Sequence, residues 1–577
     1  MTAPARSPSH WREIARGPFA LIEFEGECRL FRNPKGIVTT RSSAHLPAAL
    51  EQLRDTDAVG FIGYEAGHAL ERAIVHASPP KPTEPPLLWF LTGCESEVAP
   101  PLPDPAGAWA GQPMPLIARA DYLVAVERIR EYILNGDIYQ ANLTFPADVE
   151  VQGHPLALYA QLRKRAGASW GAVLFTGEHW ILSFSPELFF TAKGARVTAR
   201  PMKGTAPPDS SPGALRDDPK QRAENLMIVD LLRNDLSRFA KTGTVKVPEL
   251  FVVETYPTVL QMTSTVTAQL EEGVGPVDLL GGIFPCGSVT GAPKIRAMQI
   301  IAEQETVPRG VYTGSIGMLT KGGDGAFNVA IRTMVLPVGS GTARLGLGSG
   351  VVADSVPESE WEECKRKAMF VGTEPSFGLI ETMRIVSGGV PDLDLHLNRM
   401  ERSATAFGFT FDPAAARSQV LAPAQEHGSG RLRLELRHDG RTEIALSPLP
   451  DIPEQVDIAL AQCSTSNEDF RRHHKTTDRA FYDDPRAESG AFEVLFVDED
   501  GYLTEGSFTN IFVESDGRLL TPPSSRGLLP GILRQRLLAS GEAVEADLRV
   551  RDLAGGFLIG NALRGLIRAR LREPAYA

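Results

Sequence analysis

Three charged side chains share one face of a short helix predicted in the second half of the chain. Glu360, Glu363 and Lys367 fall at i, i+3 and i+7 of this helix. Glu224 lies in the first turn of another helix, predicted after Asp218-Pro219. Mg²⁺ prefers oxygen ligands and keeps waters or substrate oxygens, so two carboxylates from separate helices could hold it. The carboxylates predict a magnesium site, although paired glutamates on helices are more often solvated faces.

Two glycines and an arginine could bind an anion near these carboxylates. Gly348 and Gly350, in GLGSGVV, lack a Cβ, so their backbone N–H groups can approach a ligand closely. Arg332, at the predicted end of a strand, could hold a carboxylate through two parallel hydrogen bonds. Glycine-rich turns are usually only turns, and each feature alone is a weak signal.

The last third of the chain contains the parts of a pyridoxal phosphate site. Lys475 lies in HHKTTDRAFYDD, Glu505 follows a predicted strand, and Arg399 lies on a predicted helix. The segment 528–534, LLPGILR, predicts a turn that opens a helix, and the free N–H groups of a helix start favour a phosphate. A Schiff-base lysine, a partner for the pyridinium nitrogen and a phosphate cradle are what this cofactor needs. A lone lysine, however, is usually surface charge.

Two α+β units are needed to position these side chains. The chain has 577 residues, too many for one hydrophobic core. Helical spacing over 122–136, and Asp218-Pro219 before a helical run, predict two helices of the first unit. A Gly-Glu turn in the first unit and Asp-Gly turns in the second predict antiparallel strand pairs. We place a large antiparallel-sheet unit at 1–373 and a smaller α+β unit at 374–577.

Composition excludes several classes of protein. Hydrophobic residues make up 42% and charged residues 23%, and the net charge of −12 argues against a nucleic-acid partner. The sequence contains no run of 18 apolar residues, so it predicts no membrane span. The five cysteines are scattered, and none are spaced like metal ligands or a disulfide framework. We therefore expect a cytoplasmic enzyme in a reducing compartment.

Seven sequence motifs occur one after another in the first unit, and their order is informative. They are GDIYQANLTF (136–145), SPELFF (185–190), PMKGT (201–205), RAENLMIVDLLRNDLSR (222–238), FPCGSVTGAPKIRAMQII (284–301), VAIRT (329–333) and GSGVVADSVPESEWEE (348–363). Together they resemble the chorismate-utilising family, which includes anthranilate, isochorismate, salicylate and aminodeoxychorismate synthases. The resemblance covers roughly 10–370 and is weakest before 120.

The resemblance implies roles for the residues named above. Mg²⁺ would be held by Glu224, Glu360 and Glu363. Chorismate would be held by Arg332, Tyr312, Gly348, Gly350 and Lys367. One departure concerns Gln221, because many family members have a glutamate there.

Two positions, Lys203 and Gln261, decide between the branches of this family. Lys203, in PMKGT, stands where anthranilate synthases have a small residue, and in aminodeoxychorismate synthases this lysine attacks C2 of chorismate. Glu187, on the preceding strand, matches the general acid/base. Gln140 replaces the lysine that activates water in other branches. Gln261 replaces a histidine linked to pyruvate elimination, although it could equally be packing. We therefore expect the product 4-amino-4-deoxychorismate.

The second unit, over about 377–572, resembles the fold-type IV pyridoxal phosphate enzymes, a group that contains aminotransferases and aminodeoxychorismate lyase. The resemblance implies that Lys475 carries the cofactor and acts as the base, while Glu505 keeps the pyridine nitrogen protonated. Other implied cofactor and lyase-site residues are Arg399, Ile532, Leu533, Asn561 and Thr382. The family's first strand is missing or merged into the linker.

Lyase and aminotransferase share these residues, and the fusion partner favours the lyase. The chain would then make 4-aminobenzoate and pyruvate from chorismate. The alternatives are chorismate amination fused to a genuine aminotransferase, or one half kept as a non-catalytic module. Cys94 and Cys286 lack the Gly-rich elbow of a glutaminase, so ammonia would come from a separate glutamine amidotransferase. By analogy, the chain would dimerise through 377–577.

Overall fold

The computed structural model describes residues 9–572 except 25, 72–73, 75–79, 168, 208, 257–258 and 373. The helices are α1 (Ser9–Ile14), α2 (Leu46–Glu51), α3 (Ala66–Leu70), α4 (Arg119–Leu134), α5 (Pro155–Ala166), α6 (Pro212–Asp217), α7 (Pro219–Ser237), α8 (Pro276–Ile283), α9 (Lys294–Gln304), α10 (Pro357–Ala368), α11 (Leu393–Phe407), α12 (Pro413–His427), α13 (Phe470–His473), α14 (Ala480–Ser489) and α15 (Ile532–Ala539). Within those described ranges, no helix is long and apolar enough to cross a membrane.

The strands before residue 373 are β1 (Phe19–Phe24), β2 (Glu27–Arg32), β3 (Gly36–Thr40), β4 (Ala58–Ile62), β5 (Leu88–Thr92), β6 (Glu95–Val98), β7 (Trp109–Ala110), β8 (Met114–Pro115), β9 (Gln140–Gln152), β10 (Trp170–Phe175), β11 (His179–Ser185), β12 (Leu188–Lys193), β13 (Arg196–Arg200), β14 (Met202–Ala206), β15 (Lys246–Tyr256), β16 (Val259–Gln269), β17 (Gly291–Ala292), β18 (Ser315–Leu319), β19 (Gly325–Asn328), β20 (Thr333–Pro337) and β21 (Thr342–Val351). The later strands are β22 (Leu379–Ile385), β23 (Gly430–Leu436), β24 (Thr442–Ser447), β25 (Gln455–Gln462), β26 (Glu493–Val497), β27 (Leu503–Gly506), β28 (Asn510–Ser515), β29 (Arg518–Thr521), β30 (Ala543–Glu545), β31 (Phe557–Asn561) and β32 (Gly565–Leu571).

Two large antiparallel sheets form the first unit. One has the order β17-β9-β21-β20-β11-β10-β1-β2-β6, and the other β14-β16-β13-β12-β19-β18-β4-β5-β3. The sheets pack face to face, which explains why β1 is apolar at every position except Glu23. Phe19 and Leu21 point into the core under the helices, while Ala20 and Ile22 point into the layer between the sheets.

Two helices carry the charged residues of the first unit to the sheets. Helix α7 begins as the sequence predicts, because the Asp218 carboxylate accepts hydrogen bonds from the N–H groups of Lys220 and Gln221 at 2.8 and 2.9 Å. Helix α10 packs against β21 and α4. The Tyr122 hydroxyl, on α4, lies 2.9 Å from the Ser349 hydroxyl and 3.4 Å from the Cys364 thiol, so it ties β21 and α10 to α4.

The second unit contains a small sheet and a larger mixed one. The small sheet, β22-β23-β24, is antiparallel and is covered by α11 and α12. The larger sheet has the order β27-β26-β25-β32-β31-β28-β29-β30, in which β25 runs parallel to both of its neighbours. A tight turn joins β28 to β29, and its Asp516 and Gly517 both have positive φ, as the Asp-Gly pair predicts.

The two units share a core contact. Trp109, on β7, packs edge-on against Phe407 of α11, with ring centroids 5.2 Å apart. The Arg471 guanidinium, shortly before Lys475 in the chain, bonds Asp104 of the first unit at 2.7 Å and Asp469 at 2.6 Å. The proposed boundary at 373/374 cannot be located on the backbone itself, since Thr373 lies outside the described residues.

Several local placements differ from the sequence predictions. Glu187 lies in the two-residue connection before β12, not on a strand, and Arg332 precedes β20 instead of ending a strand. Glu224 lies in the second turn of α7, and Glu505 lies within β27 instead of after a strand. Each difference is a shift of a few residues, the usual uncertainty at the ends of elements.

Candidate active sites

Glu187 is a buried carboxylate at the junction of the two sheets. Its backbone is fixed because its N–H donates to Ser185 Oγ at 3.1 Å and its carbonyl accepts from Val329 N at 3.0 Å. Burial raises the pKa of Glu187 to about 7, although hydrogen bonds from Ser288 and the Met202 backbone act to lower it. Its Oε1 atom is buried and has no hydrogen-bond partner among the described residues. A group with this pKa can give or take a proton near neutral pH.

Lys203 lies on β14 and reaches towards α7 and β21. Its Nζ is 3.8 Å from Glu224 Oε2. A Cβ added to Gly350 would lie 2.5 Å from the same Nζ, so a side chain at that position would push the amine away. The Lys203 carbonyl accepts from Asn225 Nδ2 at 3.2 Å, which fixes the strand against α7. The lysine therefore faces both the predicted metal ligands and the predicted substrate backbone.

The charges of Glu363 and Glu360, two of the predicted metal ligands, act on the third, Glu224. Burial raises the pKa of Glu224, and the carboxylates of Glu363 and Glu360 raise it further against the opposing lysines. Glu360 Oε2 is buried without a hydrogen-bond partner in the described ranges. In those ranges no three acidic, His or Cys side chains already stand at metal-binding distances from one another. The donor set still fits Mg²⁺, which commonly takes one or two carboxylates plus waters and substrate oxygens.

Lys367 bridges α10 to the strand above it. Its Nζ bonds Glu363 Oε1 at 2.8 Å and the Gly348 carbonyl at 2.9 Å. Although burial opposes its charge, Glu363 raises the pKa of Lys367 to about 12, and Lys367 in turn lowers the pKa of Glu363. The structure therefore keeps a fixed positive charge beside Gly348, one of the predicted substrate positions.

The remaining predicted substrate residues lie around β21. Tyr312 covers Gly346, where an added Cβ would approach the ring to 2.1 Å, and burial raises the Tyr312 pKa to about 12. Arg332 has a positive φ and donates to the Ala166 carbonyl at 2.5 Å. The Gln261 amide donates to the Gly204 carbonyl at 2.9 Å, so this side chain packs against the Lys203 segment.

The second site is a cavity of about 350 Å³ in the second unit. Of the predicted residues, it is lined by Thr382, Arg399, Lys475, Glu505, Ile532 and Asn561. The Leu533 side chain does not line it and packs instead with Phe512 and Leu537. Ile532 and Leu533 nevertheless lie in the first turn of α15, where backbone N–H groups have no partner within the helix.

Lys475 and Glu505 line this cavity, and both have strongly shifted pKa values. Burial, with Arg399 and Arg479 nearby, lowers the pKa of Lys475 to about 7. Burial raises the pKa of Glu505 to about 7, although Tyr482 and the Leu529 N–H, at 3.0 Å, donate to its Oε1. A partly neutral lysine and a carboxyl that shares its proton readily are the groups that a pyridoxal phosphate site uses.

Arg399 is held by a buried carboxylate that the sequence reading missed. Glu381 accepts from Arg399 Nε at 2.8 Å and Nη2 at 2.7 Å, and His396 Nδ1 lies 2.6 Å from it. Although burial opposes its charge, Arg399 and His396 lower the pKa of Glu381 to about 2. Arg399 keeps unused N–H groups for a phosphate. Glu381 adjoins Thr382 in FGLIETMR, but its spacing to Arg399 gives no signal for the pair.

Asn561 and Glu493 fix a loop at the wall of the cavity. Asn561 Nδ2 donates to the Phe508 carbonyl at 3.1 Å, and its Oδ1 accepts from the N–H groups of Leu563 and Arg564. The Glu493 carboxylate, fully buried, accepts from Ser507, Phe508 and Thr509. The predicted cofactor residue Asn561 therefore holds backbone, and Glu493 was missed because an isolated acidic residue at the start of a strand gives no signal.

Comparison with known proteins decides the family. Residues 3–372 match the family model described as chorismate binding enzyme. The chain belongs to that family. Residues 378–571 of this chorismate binding enzyme match the model described as amino-transferase class IV. The predicted pairing of the two units, and the α+β fold, are confirmed.

Curated relatives of this chorismate binding enzyme have two different names. Anthranilate synthase component 1 of Methanothermobacter thermautotrophicus is 41% identical over 263 residues, 44% of this chain and 56% of the relative. Aminodeoxychorismate synthase component 1 of Bacillus subtilis is 38% identical over 273 residues (46% and 57%), and that of Escherichia coli is 42% identical over 254 residues (43% and 56%). The chain thus spans little more than half the length of these relatives.

Solved structures share the fold of the first unit. Anthranilate synthase component I from Streptococcus pneumoniae is 27% identical, covers 61% of this chain and 89% of its own, and has a TM-score of 0.50. The menaquinone-specific isochorismate synthase from Escherichia coli is 18% identical, covers 63% and 90%, and has a TM-score of 0.51. The second likeness concerns the fold alone.

Proposed function

We propose that the chain is bifunctional, with residues 1–373 aminating chorismate to 4-amino-4-deoxychorismate and residues 374–577 eliminating pyruvate to give 4-aminobenzoate. The observation that carries the proposal is the position of Lys203 Nζ, which lies between Glu224 and the Gly350 backbone. A lysine there suits covalent attack on a substrate whose carboxylate lies beside Gly348 and Lys367. Ammonia would come from a separate glutamine amidotransferase.

In the first site, Lys203 acts as the nucleophile and Glu187 as the proton donor. The Lys203 amine adds to C2 of chorismate, and Glu187 gives a proton to the departing C4 hydroxyl. Ammonia then adds at C4, and Lys203 leaves. Glu224, Glu360 and Glu363 would hold Mg²⁺, whose charge would neutralise the ring carboxylate of the substrate. Lys367 keeps a fixed positive charge beside Gly348 for the same anion. Tyr312 and Arg332 would complete the substrate wall.

In the second site, Arg399 and the first turn of α15 would hold the phosphate of pyridoxal phosphate, and Lys475 would carry its aldehyde carbon. The cofactor would supply an electron sink. Glu505 holds a proton for the ring nitrogen, and Lys475 moves the C4 proton of the substrate. Thr382 lines the same cavity. Loss of enolpyruvate then yields an aromatic ring, which drives the reaction.

The test follows products from chorismate, ammonium, Mg²⁺ and pyridoxal phosphate by chromatography. We expect 4-aminobenzoate and pyruvate from the wild type, neither from Lys203→Ala, and accumulation of aminodeoxychorismate with Lys475→Ala. Lys321→Ala, an exposed lysine in a turn, is the control and should retain both steps.

A second function is favoured by the names of the relatives. Several relatives at similar identity are anthranilate synthases, so amination at C2 is the competing reaction. Anthranilate among the products would refute our assignment of Lys203. The class IV match also fits a genuine aminotransferase, and transfer of amine from amino acids to 2-oxo acids would replace the lyase assignment.

A further inference from the structure

The cavity of the second unit contains far more positive than negative charge. Besides Arg399 and Lys475, its wall includes Arg431, Arg433, Arg471, Arg479, Arg486 and Arg564, whereas the carboxylates on the wall are Asp483 and Glu505. One phosphate group at Arg399 and α15 would neutralise only part of this charge. A cavity of one sign of charge concentrates ligands of the opposite sign.

Three of the six arginines other than Arg399 already have carboxylate partners. Arg471 bonds Asp469 and Asp104, as described above. Arg433 lies 3.4 Å from Glu435, and Arg479 donates to the Ser507 carbonyl and lies 3.8 Å from Asp483.

The other three arginines are poorly matched. Arg486 shares Asp483 with Arg479, at 3.5 Å. Neither Arg431 nor Arg564 forms a salt bridge with any residue that the structure describes, and Arg564 Nε is buried without a hydrogen-bond partner there. Arg431, Arg486 and Arg564 are each half-buried, so a bound anion would stabilise their charges.

These three poorly matched arginines lie near one another. Arg486 and Arg564 lie on the same aromatic ring, with guanidinium carbons 5.2 and 5.1 Å from the centroid of Phe508. Burial lowers the pKa of Arg564, the charges of Arg431 and Arg486 lower it further, and the Glu493 carboxylate opposes this shift. Glu493 and Asn561 fix the backbone at Phe508 through hydrogen bonds. Because these hydrogen bonds fix the backbone, the guanidinium groups cannot easily move apart. A bound anion would reduce their mutual repulsion.

We propose that Arg431, Arg486 and Arg564 form a carboxylate subsite that selects dicarboxylate substrates for the second active site. The inference rests on the proposed lyase function, whose substrate has a ring carboxylate and an enolpyruvyl carboxylate. An arginine binds a carboxylate through two parallel hydrogen bonds, and three arginines from β23, α14 and the turn before β32 surround one group from different sides. Simple amino acids with one carboxylate would leave this subsite unfilled.

The test is calorimetric titration of the full chain, loaded with pyridoxal phosphate, with isophthalate and with benzoate. Isophthalate has two ring carboxylates and benzoate has one. We expect the wild type to bind isophthalate at least about tenfold more tightly, and Arg564→Ala and Arg486→Ala each to weaken isophthalate about tenfold while benzoate changes little. Arg568→Ala, exposed on the neighbouring strand, is the matched control and should behave as wild type. Cofactor absorbance checks that each variant is folded.

The outcomes separate this subsite from the proposed function. Isophthalate binding no tighter than benzoate, or a preference that survives in both variants, would overturn the subsite. If the preference and its loss in the variants are found but no 4-aminobenzoate forms from aminodeoxychorismate, the subsite stands and the lyase proposal fails. If 4-aminobenzoate forms with an unchanged KM in both variants, the lyase stands and the subsite fails.

Discussion

At the scale of single residues, both sites depend on groups whose charge is disfavoured by burial. Glu187 and Glu505 hold protons more tightly than ordinary carboxyls, and Lys475 holds its proton less tightly than an ordinary lysine. Such shifts cluster at functional sites because proton transfer is most efficient when the pKa lies near the working pH.

Replacing Glu187 by glutamine should stabilise the protein and abolish amination. Because the folded-state pKa of about 7 lies above the ordinary glutamate value of 4.5, the folded state loses stability as the pH rises between these values. Above pH 7 the ionised, buried carboxylate costs at most about 3 kcal/mol. Thermal unfolding should therefore show Glu187→Gln above wild type at about pH 8.5 and close to it at about pH 4.5.

The control for that measurement is Glu178→Gln, in an exposed turn of the same sheet, which should leave the unfolding temperature unchanged at both pH values. A Glu187→Gln protein that is less stable than wild type at high pH, or that still aminates chorismate, would contradict the assigned proton-holding role.

Lys475 should capture pyridoxal phosphate readily at neutral pH. Since only the neutral amine attacks an aldehyde, the rate of attachment should rise with pH and level off above about 7, the lowered pKa of Lys475. Stopped-flow absorbance between about pH 6 and about pH 10 measures this rate, with Lys475→Ala as the blank. A rate that keeps rising towards the ordinary lysine value would show that the amine is not desolvated.

At the scale of elements, local sequence patterns predict single helix caps and turns well, but they do not predict which strands and helices lie side by side. The Asp218 cap and the Asp516-Gly517 turn follow from a few adjacent residues, and both form as expected. The pairing of β9 with β21, about two hundred residues away, depends on long-range packing that no local pattern encodes. The same holds for the Glu381 and Arg399 pair, which two separate elements bring together. Lys203, Glu224 and the helix α10 carboxylates were located through motif order, not through geometry.

Removing the cap of α7 should weaken the first site together with the helix. Asp218→Ala leaves the N–H groups of Lys220 and Gln221 without their acceptor, at a cost of about 1 kcal/mol. Glu224 and Asn225 lie in the following turns, so we expect a lower unfolding temperature and a raised KM for chorismate. Asp217→Ala removes an exposed neighbouring carboxylate and is the control. Equal losses in both variants would point to surface charge instead of capping.

At the scale of the whole molecule, the contact at Trp109 joins the units mechanically. Trp109→Ala would remove a ring that packs on Phe407, in the helix that also carries His396 and Arg399. Loss of a buried tryptophan costs about 3 to 5 kcal/mol. We expect calorimetry to show the second unit melting earlier, and the affinity for pyridoxal phosphate to fall. Trp89→Phe, in the distant layer between the sheets, tests whether any loss of aromatic volume acts in the same way.

The Trp109 contact also bears on attempts to produce residues 374–577 by themselves. Cutting the chain near residue 374 would strip a ring from the core that contains Phe407 and Phe470 and would expose an apolar surface to solvent. Residues 374–577 produced alone should therefore self-associate unless that surface is redesigned, and a short segment carrying Trp109, added in trans, should restore a monodisperse species in light scattering. We therefore expect the two units not to fold independently, although each matches a family model of its own.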